Sequence, residues 1–262
     1  MKNIIFIDWD DTLFPTSWIN NNKIDCTNKE DINKYKLFFL ELDKSITNLL
    51  EIITDNNDNI VYIVTNANKK WVELCLLVLP KTSSIIEKDV IIISAKDKYN
   101  QKTNSIIDWK ILTFKDVVND IYINNMYNSL NQNISNSLNQ NISDSLNQNI
   151  YAPITMTKPL DINRSNDMKN PISINQFIGN IISIGDSNYE YTALIKLYEY
   201  LKNNGFKLYN TSTKKEKEFL LKNIKLVDKP EFDILINELY ALKKNINIII
   251  EQKDIVDVLL EP

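Results

Sequence analysis

The chain contains no histidine, two cysteines and a single arginine, Arg164, among its 262 residues. The absence of histidine excludes Ser-His-Asp triads, histidine phosphatases and His-ligated zinc sites. A cysteine phosphatase needs an arginine six positions after its cysteine. Cys26 is followed at that distance by Ile32, and Cys75 is followed by Lys81. Cysteine-based phosphate chemistry is therefore excluded as well.

Glycine is equally scarce, with three residues in the whole chain. Gly179, Gly185 and Gly205 are too few and too far apart for a Walker A loop or a dinucleotide fingerprint. The polar chemistry that remains available uses carboxylates, hydroxyls, lysines and a metal ion.

The sequence also lacks the marks of a secreted or membrane protein. Two cysteines are too few for a disulfide framework, which favours a reducing compartment. Acidic residues at positions 8, 10 and 11 interrupt the first apolar run too early for a signal peptide. The sequence has no apolar stretch long enough to span a membrane. We therefore expect a cytoplasmic protein without membrane partners.

The bulk composition is that of a globular domain. Apolar residues make up 44% and charged residues 24% of the chain, which is long enough for one α/β domain with a large insertion. The net charge of −4 shows no excess of basic residues, so general nucleic-acid binding is not expected. This charge still permits a phosphorylated macromolecule as substrate.

Strand and helix patterns alternate along the chain. Short apolar runs rich in β-branched residues predict buried strands, and apolar residues at 3-4 spacing predict helices. Strands are predicted over 4–8, 60–64, 90–93 and 181–184, with a short fifth strand over 206–209. Helices are predicted over 30–54, 66–79, 106–120 and 191–203, and the rest of the carboxyl-terminal part is predicted to be mostly helical.

This alternation predicts an α/β fold. Strands separated by helices favour a mainly parallel sheet covered on both faces, which is a Rossmann-like three-layer α/β/α sandwich. Ligands of such folds bind beyond the carboxyl ends of the strands.

Local signals suggest where several helices begin and end. Thr27 and Glu30 predict a capping box for the helix over 30–54. Pro80 is expected to stop the helix before it, and Pro230 to lie in the first turn of a carboxyl-terminal helix. Trp71 is interpreted as a core residue of the helix over 66–79.

Residues 124–176 differ in composition from the rest of the chain. Three near-copies of an eight-residue Asn-Ser-Leu-Asn-Gln-Asn-Ile-Ser unit occupy 128–151, and polar sequence continues to about residue 176. This Asn/Ser/Gln-rich composition predicts a low-complexity insertion that is disordered or weakly ordered. Residues 1–123 and 177–262 are then expected to form a single domain around it.

Acidic and polar side chains follow the predicted strands. Asp8 and Asp10 come after the first strand, Thr65 and Asn66 after the second, and Asp186 after the fourth. A carboxylate can attack phosphorus and form an aspartyl-phosphate, while a second one exchanges protons with the leaving group and with water. Crowded carboxylates need a hard cation, and Mg²⁺ prefers oxygen ligands. The sequence thus predicts magnesium-dependent phosphoryl transfer.

These segments resemble the motifs of the haloacid dehalogenase-like (HAD) hydrolase superfamily. Asp8-Trp9-Asp10-Asp11-Thr12 is similar to its Asp-x-Asp-x-Thr motif, and Val64-Thr65-Asn66 is similar to the second motif. Gly185-Asp186-Ser187-Asn188-Tyr189-Glu190 resembles Gly-Asp-x-x-x-Asp, with Glu in the last position. The third motif is a lone lysine, for which Lys110 is our choice. Lys96, Lys98 and Lys102 remain alternatives.

The resemblance implies a role for each residue. Asp8 would be the nucleophile and a metal ligand. Asp10 would be the general acid and base and would offer its backbone carbonyl to Mg²⁺. Asp186 would be the third metal ligand. Thr65, Asn66 and Lys110 would bind the phosphate. Thr12 and Glu190 would support the site.

The resemblance also implies the type of enzyme. The intervals 12–60 and 66–110 are largely taken up by helices and a strand that the sheet needs, so no large cap domain is expected. The predicted function is that of a capless, HAD-like phosphoric monoester hydrolase that uses Mg²⁺. Its expected substrate is a phosphorylated molecule with an exposed phosphate, including a macromolecule. The alternative is a catalytically degenerate HAD-like domain that acts as a binding or regulatory module.

Overall fold

The computed structural model describes residues 2–123, 178–204, 208–210, 215–217 and 220–260. The predicted insertion, 124–176, lies outside these residues. In chain order the elements are β1 (Lys2–Ile7), α1 (Thr16–Asn21), α2 (Lys29–Lys34), α3 (Lys36–Thr54), β2 (Asn59–Thr65), α4 (Lys69–Leu76), α5 (Pro80–Asp89), β3 (Val90–Ser94), α6 (Ala95–Tyr99), α7 (106–123), β4 (Ile178–Gly185), α8 (Asn188–Asn203), β5 (Leu208–Asn210), β6 (Lys215–Lys217), β7 (Leu220–Lys225), α9 (Phe232–Glu251) and β8 (Val256–Leu259).

Six strands form one parallel sheet in the order β3-β2-β1-β4-β7-β8. Because β1 pairs with both β2 and β4, the chain builds outward in two directions from the centre of the sheet. This is the doubly wound order of a Rossmann-like fold, whose ligand crevice lies where the strand order reverses. That reversal point lies between β1 and β4, the strands that precede Asp8 and Asp186.

The core has one layer on each face of the sheet. Ile5 and Ile7 of β1 point to a face covered by α3, α5 and α9. Ile4 and Phe6 point to the opposite face, covered by α6, α7 and α8. Burial on both faces explains why β1 is apolar throughout rather than alternating. The predicted α/β/α layering is therefore present.

Several predicted boundaries were wrong. The helix expected over 30–54 is two helices, α2 and α3, which are separated at Tyr35. No capping box joins Thr27 and Glu30, since the side chain of Asn28 accepts the hydrogen bond from the Glu30 N–H. Thr27 instead donates to Asp25. A short polar residue closer to the first turn thus provides the cap.

The prolines also differ from the prediction. Pro80 was expected to stop the preceding helix, but α4 already ends at Leu76, and Pro80 begins α5. A proline in the first turn costs no helical hydrogen bond. Pro230 lies one residue before Glu231, the N-cap of α9, and so outside the first turn.

Three strands were missed in the carboxyl-terminal part, β6, β7 and β8, of which β7 and β8 extend the main sheet. The short strand predicted over 206–209 corresponds to β5, which pairs with β6 in a separate antiparallel sheet. Within the described residues, no helix combines the length and apolarity that crossing a membrane requires.

Glu238 is a fully buried carboxyl group on α9. One of its oxygens accepts a hydrogen bond of 2.7 Å from the Val227 N–H, and the other has no hydrogen-bond partner among the described residues. Burial raises the pKa of Glu238 to about 7. The folded chain therefore binds this proton more tightly than the unfolded chain, whose glutamates titrate near a pKa of about 4.3.

This raised pKa predicts how stability depends on pH. The stabilising contribution of protonated Glu238 is complete below about pH 4 and is lost as the pH rises to about 7, by an amount on the order of 2 kcal/mol. Glu238→Gln should flatten this part of the profile, as measured by urea unfolding at about pH 5 and about pH 8. Glu41→Gln, at an exposed position on α3, is the control and should not flatten it. A Glu238→Gln profile as steep as that of the wild type would contradict the prediction.

Candidate active site

A cleft of about 660 Å³ lies at the carboxyl ends of β1 and β4. Acidic residues that follow these two strands line it, together with side chains from the start of α8 and from the loop after β7. The lining residues are Asp8, Asp10, Asp11, Asn66, Ile106, Asp186, Ser187, Asn188, Tyr189, Lys225, Asp228 and Lys229. The cleft thus brings together four of the residues that the motifs predicted, Asp8, Asp10, Asn66 and Asp186, although they are far apart in the sequence.

Asp8 is located directly after β1. Its N–H donates to the carbonyl of Ile184 at 2.9 Å, so the pairing of β1 with β4 continues through this residue. The side chain is buried, and burial raises the pKa of Asp8, although the Lys110 ammonium opposes the shift. This carboxylate therefore depends on nearby positive charge to remain ionised.

Lys110 supplies that charge from the first turns of α7. Its Nζ forms an ion pair with Asp8 Oδ1 at 2.9 Å and donates a hydrogen bond to Glu190, and only 1% of the side chain is exposed. Burial lowers the pKa of Lys110, but the two carboxylates raise it more, so the net shift is upward. The ammonium thus stays charged between two acids.

The alternative lysines have other environments. Lys98 forms an ion pair with Asp116 at 2.8 Å, and Lys102 lies 5.1 Å from the ring centroid of Tyr99. Lys96 belongs to α6. Among these lysines, Lys110 is the one that the tertiary structure brings to Asp8.

Glu190 orients Lys110 and also caps α8. One of its oxygens accepts from Lys110, and the other accepts from the N–H of Ser187 at 3.1 Å and from the Ser187 hydroxyl. The hydrogen bond from the Ser187 N–H belongs to a capping box. Burial opposes ionisation, yet Lys110 holds the pKa of Glu190 below its usual range. With both oxygens engaged, Glu190 supports the site through Lys110.

Gly185 leaves the space that Glu190 occupies. A Cβ at position 185 would lie 2.4 Å from the Cγ and 2.6 Å from the Cδ of Glu190. Real side chains do not approach so closely, so a residue larger than glycine would displace Glu190 from Lys110.

Gly185→Ala is accordingly expected to destabilise the protein by about 1–3 kcal/mol. The steric cause can be isolated with a double-mutant cycle in urea unfolding. In a Glu190→Ala background, where Cγ and Cδ are absent, the additional cost of Gly185→Ala should fall close to zero. Equal costs in the two backgrounds would show that the contact with Glu190 is not the cause.

Asp10 has a side chain that accepts three hydrogen bonds. Thr16 donates its hydroxyl to Oδ1 at 2.6 Å, and Trp71 donates its indole N–H to the same oxygen at 2.9 Å. Thr65 donates its hydroxyl to Oδ2 at 3.0 Å. The carboxyl group is thereby fixed at the border of the cleft.

Thr65 and Asn66, the predicted phosphate ligands after the second strand, have different environments. Thr65 is fully buried, and its hydroxyl oxygen also accepts from the Ala67 N–H at 2.9 Å. Asn66 follows it and lines the cleft. In this structure the Thr65 side chain contacts Asp10, whereas Asn66 is accessible to a ligand.

Thr12 and Asp11 hold the loop that follows Asp8. The Thr12 hydroxyl accepts from the Asp186 N–H at 3.1 Å and so links the ends of β1 and β4. Asp11 has a φ of 55° and accepts from the Ser17 N–H at 2.7 Å. Aspartate tolerates this left-handed conformation better than most residues.

Several residues that contact the site were missed, among them Trp71, Thr16 and Lys225. Trp71 was interpreted as core, but it is half-buried and donates to Asp10, and Thr16 donates to the same oxygen. Lys225 at the end of β7 donates to the backbone carbonyl of Asp186 and lines the cleft. No spacing signal links these residues to the motif acids, because the contacts exist only between separate elements.

The donor set of the site fits a hard divalent cation. Carboxylate oxygens of Asp8, Asp186 and Glu190 lie within 4.8 Å of one another. Burial, followed by repulsion from Glu190 and Asp11, raises the pKa of Asp186 to about 7. A bound cation would offset this repulsion, and an oxygen-only donor set suits Mg²⁺. Because Glu190 is engaged elsewhere, Asp8 and Asp186 are the side chains best placed to hold the ion.

Comparison of the chain with protein-family models, curated proteins and solved structures finds no match to any of them. The interpretation of the site therefore depends on its own residues and geometry.

Proposed function

We propose that this protein is a Mg²⁺-dependent phosphatase of the HAD-like type, which hydrolyses a phosphate monoester through an aspartyl-phosphate on Asp8. One observation carries the proposal: the buried ammonium of Lys110 lies 2.9 Å from Oδ1 of Asp8, a residue that lines the acidic cleft. A lysine at this place can neutralise a nucleophilic carboxylate and then the phosphoryl group attached to it. A purely structural ion pair would not require the further acids Asp10 and Asp186 beside an open cleft.

In the first step an Asp8 carboxylate oxygen attacks the phosphorus atom. The new bond joins that oxygen to phosphorus, and the bond between phosphorus and the leaving-group oxygen breaks. The Lys110 ammonium and the Asn66 side chain stabilise charge on the transferring oxygens. Glu190, held by Ser187, keeps the ammonium directed at Asp8.

Asp10 exchanges the protons. It donates a proton to the leaving-group oxygen in the first step and accepts one from the attacking water in the second. Water attack on phosphorus breaks its bond to Asp8 and releases inorganic phosphate. Both carboxyl groups thereby return to their initial states, and the proposed cycle is balanced.

Mg²⁺, when bound by Asp8, Asp186 and the Asp10 carbonyl, would neutralise phosphate charge and orient the substrate. The support for this cofactor is the close approach of the buried acids and the raised pKa of Asp186. Without a cation, two ionised carboxylates at this distance repel each other.

The proposed site is capless. Within the described residues, α3 and α5 lie in the intervals where a cap would be inserted, and both pack against the core of one sheet face. A cleft without a closing domain can admit a phosphate on a small molecule or on a macromolecule. The substrate class is therefore proposed only as a phosphate monoester.

The test is hydrolysis of a panel of phosphate monoesters, beginning with an aryl phosphate, in the presence of Mg²⁺ and of excess chelator. Wild type and Asp8→Asn are compared in parallel. Turnover that requires both Mg²⁺ and Asp8 is the expected result. Equal rates for the two proteins, or no turnover across the panel, would contradict the proposal and favour a binding module.

A further inference from the structure

Trp71 contacts the proposed acid and base, although it does not line the cleft. Its indole N–H is 2.9 Å from Asp10 Oδ1. The Trp71 backbone N–H donates to the side chain of Asn68 at 2.8 Å, which fixes the start of α4. The ring packs edge-on against Phe14, with 6.1 Å between centroids. Backbone and ring are thus both held, so the direction of the N–H is defined.

The two oxygens of Asp10 have different partners. Oδ1 accepts from Trp71 and from the Thr16 hydroxyl at 2.6 Å. Oδ2 accepts only one hydrogen bond among the described residues, from Thr65 at 3.0 Å. A hydroxyl can rotate and become an acceptor, but an indole N–H is always a donor. A proton on Oδ1 would therefore face the indole N–H, whereas a proton on Oδ2 meets no such conflict.

We propose that Trp71 is a positioning residue that fixes the rotation of the Asp10 carboxyl group, so that Oδ2 is the oxygen that exchanges the proton with the substrate. This inference rests on the proposed phosphatase function. In the first step the Oδ2–H bond breaks, its proton passes to the leaving-group oxygen, and the phosphorus–oxygen bond to that group breaks. In the second step Oδ2 takes the proton of the attacking water.

The leaving group provides a selective test. A dinitrophenolate leaves phosphorus without protonation, whereas a phenolate benefits from a general acid. In Trp71→Phe, which keeps an aromatic ring against Phe14 and removes the N–H, kcat/KM for phenyl phosphate should fall about tenfold to a hundredfold. For 2,4-dinitrophenyl phosphate it should fall less than about threefold.

Trp109→Phe is the matched control. Its indole N–H donates to the Thr103 carbonyl at 2.8 Å, so the variant also loses one indole hydrogen bond, but away from Asp10. The ratio of kcat/KM values for the two substrates should stay at the wild-type value in this variant. Thermal unfolding of both variants measures any general loss of structure.

The outcomes separate the inference from the function on which it rests. Suppose that wild type shows Asp8-dependent turnover, but that Trp71→Phe lowers kcat/KM equally for both substrates or for neither. The positioning role is then overturned, while the phosphatase proposal stands. If wild type shows no Asp8-dependent turnover of either substrate, both are overturned. The assignment is supported if kcat/KM falls selectively for phenyl phosphate in Trp71→Phe and not in Trp109→Phe.

Discussion

Asp8→Asn is expected to lower the turnover of a phosphate monoester by about a thousandfold or more, since removal of a nucleophile eliminates the covalent route. The substitution keeps the size of the side chain but replaces the attacking carboxylate with an amide. Steady-state rates with Mg²⁺ measure the loss. Acid quenching during turnover of a radiolabelled phosphate monoester should trap labelled protein in the wild type and none in the variant.

Asp43→Asn is the matched control for this change. Asp43 is also a buried aspartate, but it lies outside the cleft and accepts from the Thr82 N–H at 2.8 Å to cap α5. Its variant should lose stability and retain turnover within about threefold of the wild type. If Asp43→Asn and Asp8→Asn lowered turnover to the same extent, the loss would reflect folding rather than chemistry.

Lys110→Met is expected to lower the free energy of unfolding by about 3–5 kcal/mol at neutral pH. Methionine fills similar volume but leaves Asp8 and Glu190 buried without a counter-charge. The cost arises because an unpaired buried charge has lost both water and partner. Urea unfolding measures the change, and phosphate turnover should be lost in the same variant.

The contrast with a surface ion pair makes this prediction specific. Lys98 and Asp116 are paired at 2.8 Å, a distance similar to that between Lys110 and Asp8, but their side chains are 41% and 44% exposed. Lys98→Met should therefore cost less than about 1 kcal/mol. Similar losses in the two variants would show that burial does not determine the contribution of Lys110.

Much of the fold could be predicted from local patterns. The apolar run of β1 is continuous because both faces of the sheet are covered, and this pattern is visible in the sequence. β7 was missed because Lys222 and Asn223 interrupt its apolar residues. Lys222 is nonetheless fully buried, and its ammonium donates to the carbonyls of Ile250 and Gln252 at 2.7 Å, near the end of α9. Tertiary contacts satisfy the hydrogen bonding of these polar groups, and no local sequence pattern predicts such contacts.

The sequence by itself determined the chemical character of the candidate site. With no histidine and few glycines, the acids after β1 and β4 were the groups left for the proposed phosphate chemistry, and the parallel order of strands brings their ends together. Only the tertiary structure decided which lysine lies beside Asp8 and which side chains hold Asp10. Those contacts join α7 to β1 and α4 to the loop after β1. Distances between separate elements depend on how helices pack on the sheet, and residue spacing along the chain does not predict that packing.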